Sequence, residues 1–220
     1  MAKKIILIFC CAAFMFLTST EASGSVTRFF ADLENAVSKM NTYQVIKESE
    51  NWKGKKHEKK ASMFRFKKPN LMRTDVLEGK KKGNSVVLNK EGVIRGRHRI
   101  GFKKTLKPTD KKLRSIRGYT FMNSSLSDKV RRLKEHVLEK GCKGTLTEEK
   151  YMNKPSYHLH IDHLDHSDTE DPSTSEDAWF DKKTYVILKN LKYENEKKVT
   201  DITYRDFEIN IPLDDALFEQ

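Results

Sequence analysis

The stretch from Ser62 to Phe102 narrows the choice of fold more than any other part of this chain. Pro69, Gly79, Gly83 and Gly92 interrupt it at short intervals, so no apolar stripe of helical length can run through it. Within the pieces, Phe64 and Phe66 alternate with Met63, Arg65 and Lys67, the period of two that gives a strand two chemically different faces. Val76-Leu77, Val86-Val87-Leu88 and Val93-Ile94 follow, with Glu78-Gly79 and Asn89-Lys90-Glu91-Gly92 as turns between them. The pattern predicts an antiparallel meander on which the rest of the chain packs.

Residues 1–24 read as an export leader. Lys3 and Lys4 precede an apolar run from Ile5 to Leu17, the length of a signal-peptide core and too short to span a bilayer. Small residues in Thr20-Glu21-Ala22 and Ala22-Ser23-Gly24 put cleavage just after Ala22 or Gly24. Cys10 and Cys11 read as filler of the apolar run, because Phe9 is bulky where a lipid-attachment motif has a small residue. The expected mature chain, residues 25–220, is one domain with Cys142 as its remaining thiol. It must therefore rest on a core rather than on an internal disulfide.

The net charge is +12, and it is concentrated. From Lys47 to Arg117 there are 24 Lys and Arg against 7 Asp and Glu, whereas the segment from Asp162 to Asp181 is acidic. For an exported protein, a basic block of this kind points away from nucleic acid. It points toward phospholipid head groups, other envelope polyanions or an acidic protein.

Ser25 is a plausible N-cap for a first helix to about Met40, with Val26, Phe29, Phe30, Leu33 and Val37 on one face. Strands are expected over Thr42–Glu50, His57–Phe66 and Leu71–Leu77, then the meander, then a basic loop from Leu106 to Tyr119. A second helix carries Leu126, Val130, Leu133 and Val137, begins at Ser124 or Ser125, and ends at Lys140-Gly141. Further strands are expected over Gly144–Tyr151, Ser156–Ile161, Ala178–Leu191 as a hairpin, and Val199–Ile211. In the last, the parity of apolar residues slips at Arg205-Asp206, as at a bulge. Asp214 to Phe218 reads as a final helical turn.

Few residue groups suggest chemistry. His158, His160 and Asp162 share one face of a strand, and His163 follows, so His158, His160 and His163 are the metal-ligand candidates. The competing reading packs Tyr157, Leu159 and Ile161 inward and leaves the polar residues in water. Cys142 would need a positioned His and a lowered pKa to act as a nucleophile and reads as a buried thiol, and no hydrolase, metalloprotease, phosphate-loop or dinucleotide motif is present. No catalytic residue and no cofactor is expected.

The order of parts carries a family resemblance. An amphipathic helix leads into a strand. Then comes the strand-proline-strand unit Phe64-Arg65-Phe66-Lys67-Lys68-Pro69-Asn70-Leu71-Met72-Arg73, followed by a Val-Val-Leu hairpin and a middle helix. The chain closes with Trp179-Phe180-Asp181 and Ile202-Thr203-Tyr204-Arg205-Asp206-Phe207-Glu208-Ile209-Asn210. This resembles the LolA/LolB-like superfamily of outer-membrane lipoprotein carriers and sorting proteins, in an uncharacterised branch. The resemblance implies an α+β fold, a strongly curved antiparallel sheet forming an incomplete β-barrel, with helices packed on its concave side around acyl chains. In such carriers an arginine before the proline latches the helical lid; Lys68 stands there, and Met72 stands where an aromatic residue follows.

The resemblance implies a periplasmic, monomeric, non-enzymatic carrier or sensor of a lipid or lipoprotein. Phe64, Phe66 and Met72 are its expected lining and Lys68 a polar contact at the rim. Its partners would be acyl chains and an anionic membrane surface or envelope protein. Two alternatives stand beside it. One is an envelope interaction or signalling protein using Lys80-Lys81-Lys82 or Arg95, Arg97 and Arg99. The other is a metal-binding protein using the histidine cluster.

Overall fold

The computed structural model describes residues 25–162 and 173–219. The expected leader and His163 lie outside those residues. Among the described residues, no helix is long and apolar enough to cross a membrane.

Helix α1 (residues 25–38) buries Val26, Phe29, Phe30, Leu33 and Val37, a stripe at the spacing of successive helical turns. Six strands follow. They are β1 (Thr42–Lys53), β2 (Lys56–Lys67), β3 (Leu71–Gly79), β4 (Ser85–Leu88), β5 (Ile94–Arg97) and β6 (Lys103–Leu106). Residues 107–142 form a connector that includes helix α2 (Leu126–Lys134). Five more strands complete the chain: β7 (Lys143–Tyr151), β8 (Lys154–Asp162), β9 (Ser175–Asp181), β10 (Ile187–Glu194) and β11 (Lys197–Ile209). A 3₁₀ turn, Asp215–Phe218, follows β11 and is capped by Asp214.

All eleven strands join one antiparallel sheet in the order β6-β5-β4-β3-β2-β1-β11-β10-β9-β8-β7. The chain starts in the middle and steps outward to the β6 edge. The connector then carries it to the opposite edge, from which it steps back until β11 lies beside β1. Each strand pairs with its sequence neighbour except at this central seam, so the sheet is two hairpin-built wings joined by β1 and β11. The sheet stays open between β6 and β7.

Local chemistry accounts for the connector's course. Asp110 caps a 3₁₀ turn, Lys111–Leu113. Arg117 Nη1 donates to the Trp52 carbonyl at 2.9 Å, and its Nη2 pairs with Glu194, tying the connector to both wings. Ser125 caps α2 by accepting from the Asp128 amide at 3.1 Å, while the Leu126 amide donates to Tyr43 Oη at 2.8 Å. The helix relaxes into a π turn, Glu135–Glu139, and Gly141 at φ +71° reverses the chain into β7. A Cβ on Gly144 would lie 2.7 Å from Val137 Cγ1, so this glycine lets the end of the helix rest directly on β7.

Both helices pack on one face of the sheet. Phe29 meets Tyr157 and Phe180 edge-on at 5.3 and 5.5 Å, and Phe30, Leu33 and Leu133 are fully buried. Burying each such side chain contributes about 1.5–3 kcal/mol. The bulge expected at Arg205-Asp206 is present. Gln44 pairs with Glu208 but Ile46 pairs with Arg205, leaving two β11 residues opposite Val45, and Asp206 adopts φ +52°.

One strand escapes the sequence pattern. The expected meander stops at Phe102 and the expected loop starts at Leu106, yet Lys103–Leu106 form β6. Lys103, Lys104 and Thr105 show no apolar alternation. They pair through backbone alone, as suits a short, lysine-bearing edge strand.

Candidate ligand-binding cavity

Strand register sets up the site. With a side-chain period of two, inward-facing residues form rows across the β1–β6 wing. One row is apolar throughout: Tyr43, Phe66, Met72, Leu88, Ile94 and Leu106. The next holds Val45, Phe64, Thr74, Val86, Gly96 and Lys104. Beyond it come Lys47, Ser62 and Val76, and then Ser49 beside Lys60. The same face therefore grades from hydrocarbon to cation along the strands.

Over the graded part lies a cavity of about 520 Å³. This is the size range of small-molecule and lipid pockets, roughly 300–1,000 Å³. Phe64, Val76 and Val86 line its sheet side. Leu113, Tyr119 and Phe121 from the connector close over it, and exposed Phe102 stands at its margin. Among the described residues, the lining includes Lys47, Lys60, Lys81, Arg97, Lys103, Lys104, Lys112 and Arg114, and no Asp or Glu. Most of these cations are solvated at the surface. Lys47 and Lys60 are half-buried in the wall. Burial pushes the Lys47 ammonium down to about 8, helped by the nearby charges of Lys60 and Arg132. Burial also lowers Lys60, against the pull of Glu58 and with the push of Lys81.

The β7–β11 wing also buries cations on this face, but it matches them. Glu176, 1% exposed, contacts Lys129 Nζ from α2 and lies 3.2 Å from Lys192 Nζ of β10. Asn190 Nδ2 donates to the same carboxylate at 2.9 Å, and its Oδ1 accepts from Lys129 Nζ at 2.9 Å. Burial alone would raise the Glu176 pKa; the cations Lys129, Lys192 and Arg132 instead hold it well below the usual carboxylate range. This network pins α2 to the sheet.

No family model and no curated protein matches the chain. Solved structures do. An uncharacterised conserved protein from Thermus thermophilus superposes with a TM-score of 0.55 at 10% identity, over 89% of this chain and 93% of that one. The lipoprotein LppX of Mycobacterium tuberculosis gives 0.47 at 9% identity, over 84% and 95%. A LolA superfamily protein from Nitrosomonas europaea gives 0.40 at 10% identity, over 86% and 97%. The fold is shared with the Thermus thermophilus protein. At these identities the likeness is one of architecture.

Within this sheet the residues singled out from the sequence separate. Phe64 lines the cavity. Phe66 and Met72 are buried in the apolar row beside it and are absent from its lining. Lys68 reaches neither. Its ammonium contacts the Ser38 carbonyl in the last turn of α1 and lies 3.4 Å from Asn41 Oδ1, while its amide donates to the Asn41 carbonyl at 2.9 Å. A cation at a helix C-terminus complements the exposed carbonyls there, so Lys68 holds the end of α1.

His158 and His160 lie on the other face of the sheet. His158 Nε2 and His160 Nδ1 both sit 2.8 Å from Asp177 Oδ1, His160 Nε2 is 3.2 Å from Asp162 Oδ1, and His158 stacks on Trp179 at 4.2 Å. Burial opposes charging of His160, but its bonds to Asp177 and Asp162 raise its pKa. Leu159 and Ile161 point into the core, as the competing reading has it. No group of three His, Cys, Asp or Glu able to hold a metal occurs among the described residues.

Lys47, Lys60 and Ser49 were not singled out by sequence reasoning. Their one signal is parity: on β1 they continue the inward series begun by Tyr43 and Val45, and on β2 the series of Phe66 and Phe64. Three polar residues in inward register at the end of two apolar-faced strands mark a site rather than a core.

Proposed function

We propose that this protein is a non-enzymatic carrier or sensor that takes up the acyl chains of a lipid or lipoprotein at the cell envelope. The observation carrying the reading is the cavity itself: about 520 Å³, apolar on the Phe64, Leu113 and Phe121 side, ringed by cations and, among the described residues, free of carboxylates. An acyl chain gains about 0.8 kcal/mol for each methylene it buries there. In this reading the helix-bearing face is the concave side of the sheet, and the sequence resemblance to LolA/LolB-like carriers supports a periplasmic location and a part in outer-membrane lipoprotein sorting. Phe66 and Met72 back the chain-binding wall, and Lys68 keeps α1 closed over the neighbouring wing.

The turn between β5 and β6 fits a role at an anionic membrane surface. Ile100 and Phe102 are 67% and 74% exposed at its tip, with Arg97, Arg99, Lys103 and Lys104 around them. Apolar side chains within a basic collar suit the interface of an anionic bilayer. The tip adjoins the cavity, because Phe102 belongs to both.

Native mass spectrometry of the mature protein, purified from the periplasm without detergent, tests the proposal. A stoichiometric adduct that extracts into organic solvent, or saturable uptake of a fluorescent fatty acid, is the expected result. A bare protein that takes up no fatty acid refutes it. Partner binding lost on changing Lys80, Lys81 and Lys82 would then favour the envelope-interaction alternative.

A further inference from the structure

Three features of the cavity wall point the same way. Lys47 projects inward from β1 with no ion-pair partner among the described residues. The groups facing it are Lys60 of β2, Arg132 of α2 and the Tyr204 ring of β11 at 5.9 Å, so two of its three neighbours repel it. Lys60 lies diagonally across the strand pair; the carboxylate that moderates it, Glu58, does not line the cavity. Ser49, two residues along from Lys47 and directly opposite Lys60, is 5% exposed, and its Oγ has no hydrogen-bond partner. Two cations and an idle hydroxyl therefore converge on a cavity whose lining, among the described residues, holds no carboxylate. A buried polar group is normally satisfied, and buried cations are normally paired. The other wing obeys that rule with Glu176.

We propose that Lys47, Lys60 and Ser49 form an internal anion site that seats the carboxylate or phosphate head group of an amphiphile, with its tail lying along Phe64, Leu113 and Phe121. The inference rests on the carrier reading and names its ligand class: singly tailed or small-headed anionic lipids, held head-inward. The rim cations Arg97, Lys103, Lys104, Lys112 and Arg114 are exposed to water, so a head group gains less there than against the two wall lysines. Ser49 adds a hydrogen bond to an anion that no neighbouring side chain competes for.

The test compares dodecanoate, dodecyl phosphate, dodecanol and inorganic phosphate on the mature chain by calorimetry. The wild type binds the two anionic amphiphiles, and Lys47→Met weakens both by about tenfold or more while dodecanol changes by less than about twofold. A preference for dodecyl phosphate over dodecanoate identifies a phospholipid-type head group, and the reverse a free fatty acid. Lys60→Met acts in the same direction. If Lys47→Met leaves the anionic amphiphiles unchanged, or weakens dodecanol equally, the internal site is wrong and the carrier reading stands. If the wild type binds no amphiphile, the carrier reading fails. Inorganic phosphate binding lost in Lys47→Met would then mark a small-anion site, which also overturns the lipid assignment. An unmutated readout guards against misfolding: dodecanoate should raise the Lys47 titration midpoint above about 8 in lysine ¹⁵N NMR, and no shift on saturation refutes the site.

Discussion

The two wings of the sheet treat buried charge in opposite ways. On the β7–β11 wing, Lys129 and Lys192 enclose one carboxylate, Glu176, and Asn190 completes the set. On the β1–β6 wing, Lys47 and Lys60 face a cavity with no carboxylate in its lining among the described residues, and Ser49 Oγ beside them makes no hydrogen bond there. The wings are built alike, from antiparallel hairpins meeting at β1 and β11, and both present this face to the interior. The difference lies in what covers them. Helices α1 and α2 fill the first face with Phe29, Phe30, Leu33 and Leu133, while the connector only arches over the second. Charge that is matched inside the fold serves stability; charge left unmatched beside a cavity serves another molecule.

Removing the matched acid gives the largest expected effect. Glu176→Gln leaves Lys129 and Lys192 buried without their counter-charge, and should cost about 3–5 kcal/mol in urea unfolding. Lys47→Met, which removes an unmatched cation, should cost nothing and raise the midpoint. Equal losses in the two variants would erase the distinction between the wings.

The pH dependence of stability sharpens the comparison, because the two sites act in different pH windows. The Glu176 carboxyl is depressed in the folded protein, so its stabilisation is present above its unfolded pKa, about 4.5, and is lost as pH falls through the lower folded value. The Lys47 ammonium is also depressed, from 10.5 to about 8. Between those values the unfolded chain holds a proton that the folded chain has released, so stability climbs with pH across that window. The difference between wild type and Lys47→Met, followed from pH 7 to 11, should show this climb; a flat difference would mean that Lys47 is not held in a low-dielectric wall.

The smallest effect concerns the cover itself. Lys68→Ala removes the ammonium at the C-terminus of α1 and should cost about 0.3–1 kcal/mol. Amide exchange should speed up over residues 25–38 and not over β1–β6. Uniform acceleration would show that α1 does not open as a separate lid.

Much of this was legible in the sequence because it is local. The caps at Ser125 and Asp214, the stripe of α1, the turns at Gly79, Gly83 and Gly92, and the bulge at Asp206 all follow from residues within a few positions of one another. The candidate site was less legible. Phe64 lines the cavity, but Phe66 shares its parity and chemistry and is simply core. Lys68 stands at the helix end, as a latch would, and away from the cavity. The histidines gather on Asp177, which lies 17 residues beyond His160 in sequence and beside it in the sheet.

By itself the sequence determined both helices, every strand but β6, their inward faces and the excess of positive charge, since the periods of two and 3.6 are properties of the backbone. Only the tertiary structure decided which lysines matter. Among 24 basic residues between Lys47 and Arg117, the sequence draws attention to Lys68, Lys80, Lys81, Lys82, Arg95, Arg97 and Arg99, and not to Lys47 or Lys60. Pairing of β1 with β11, and the return of Glu176 to Lys129 and Lys192 but not to Lys47, sorts them. Whether a buried charge is paired depends on residues far apart in the chain, and no local pattern records that.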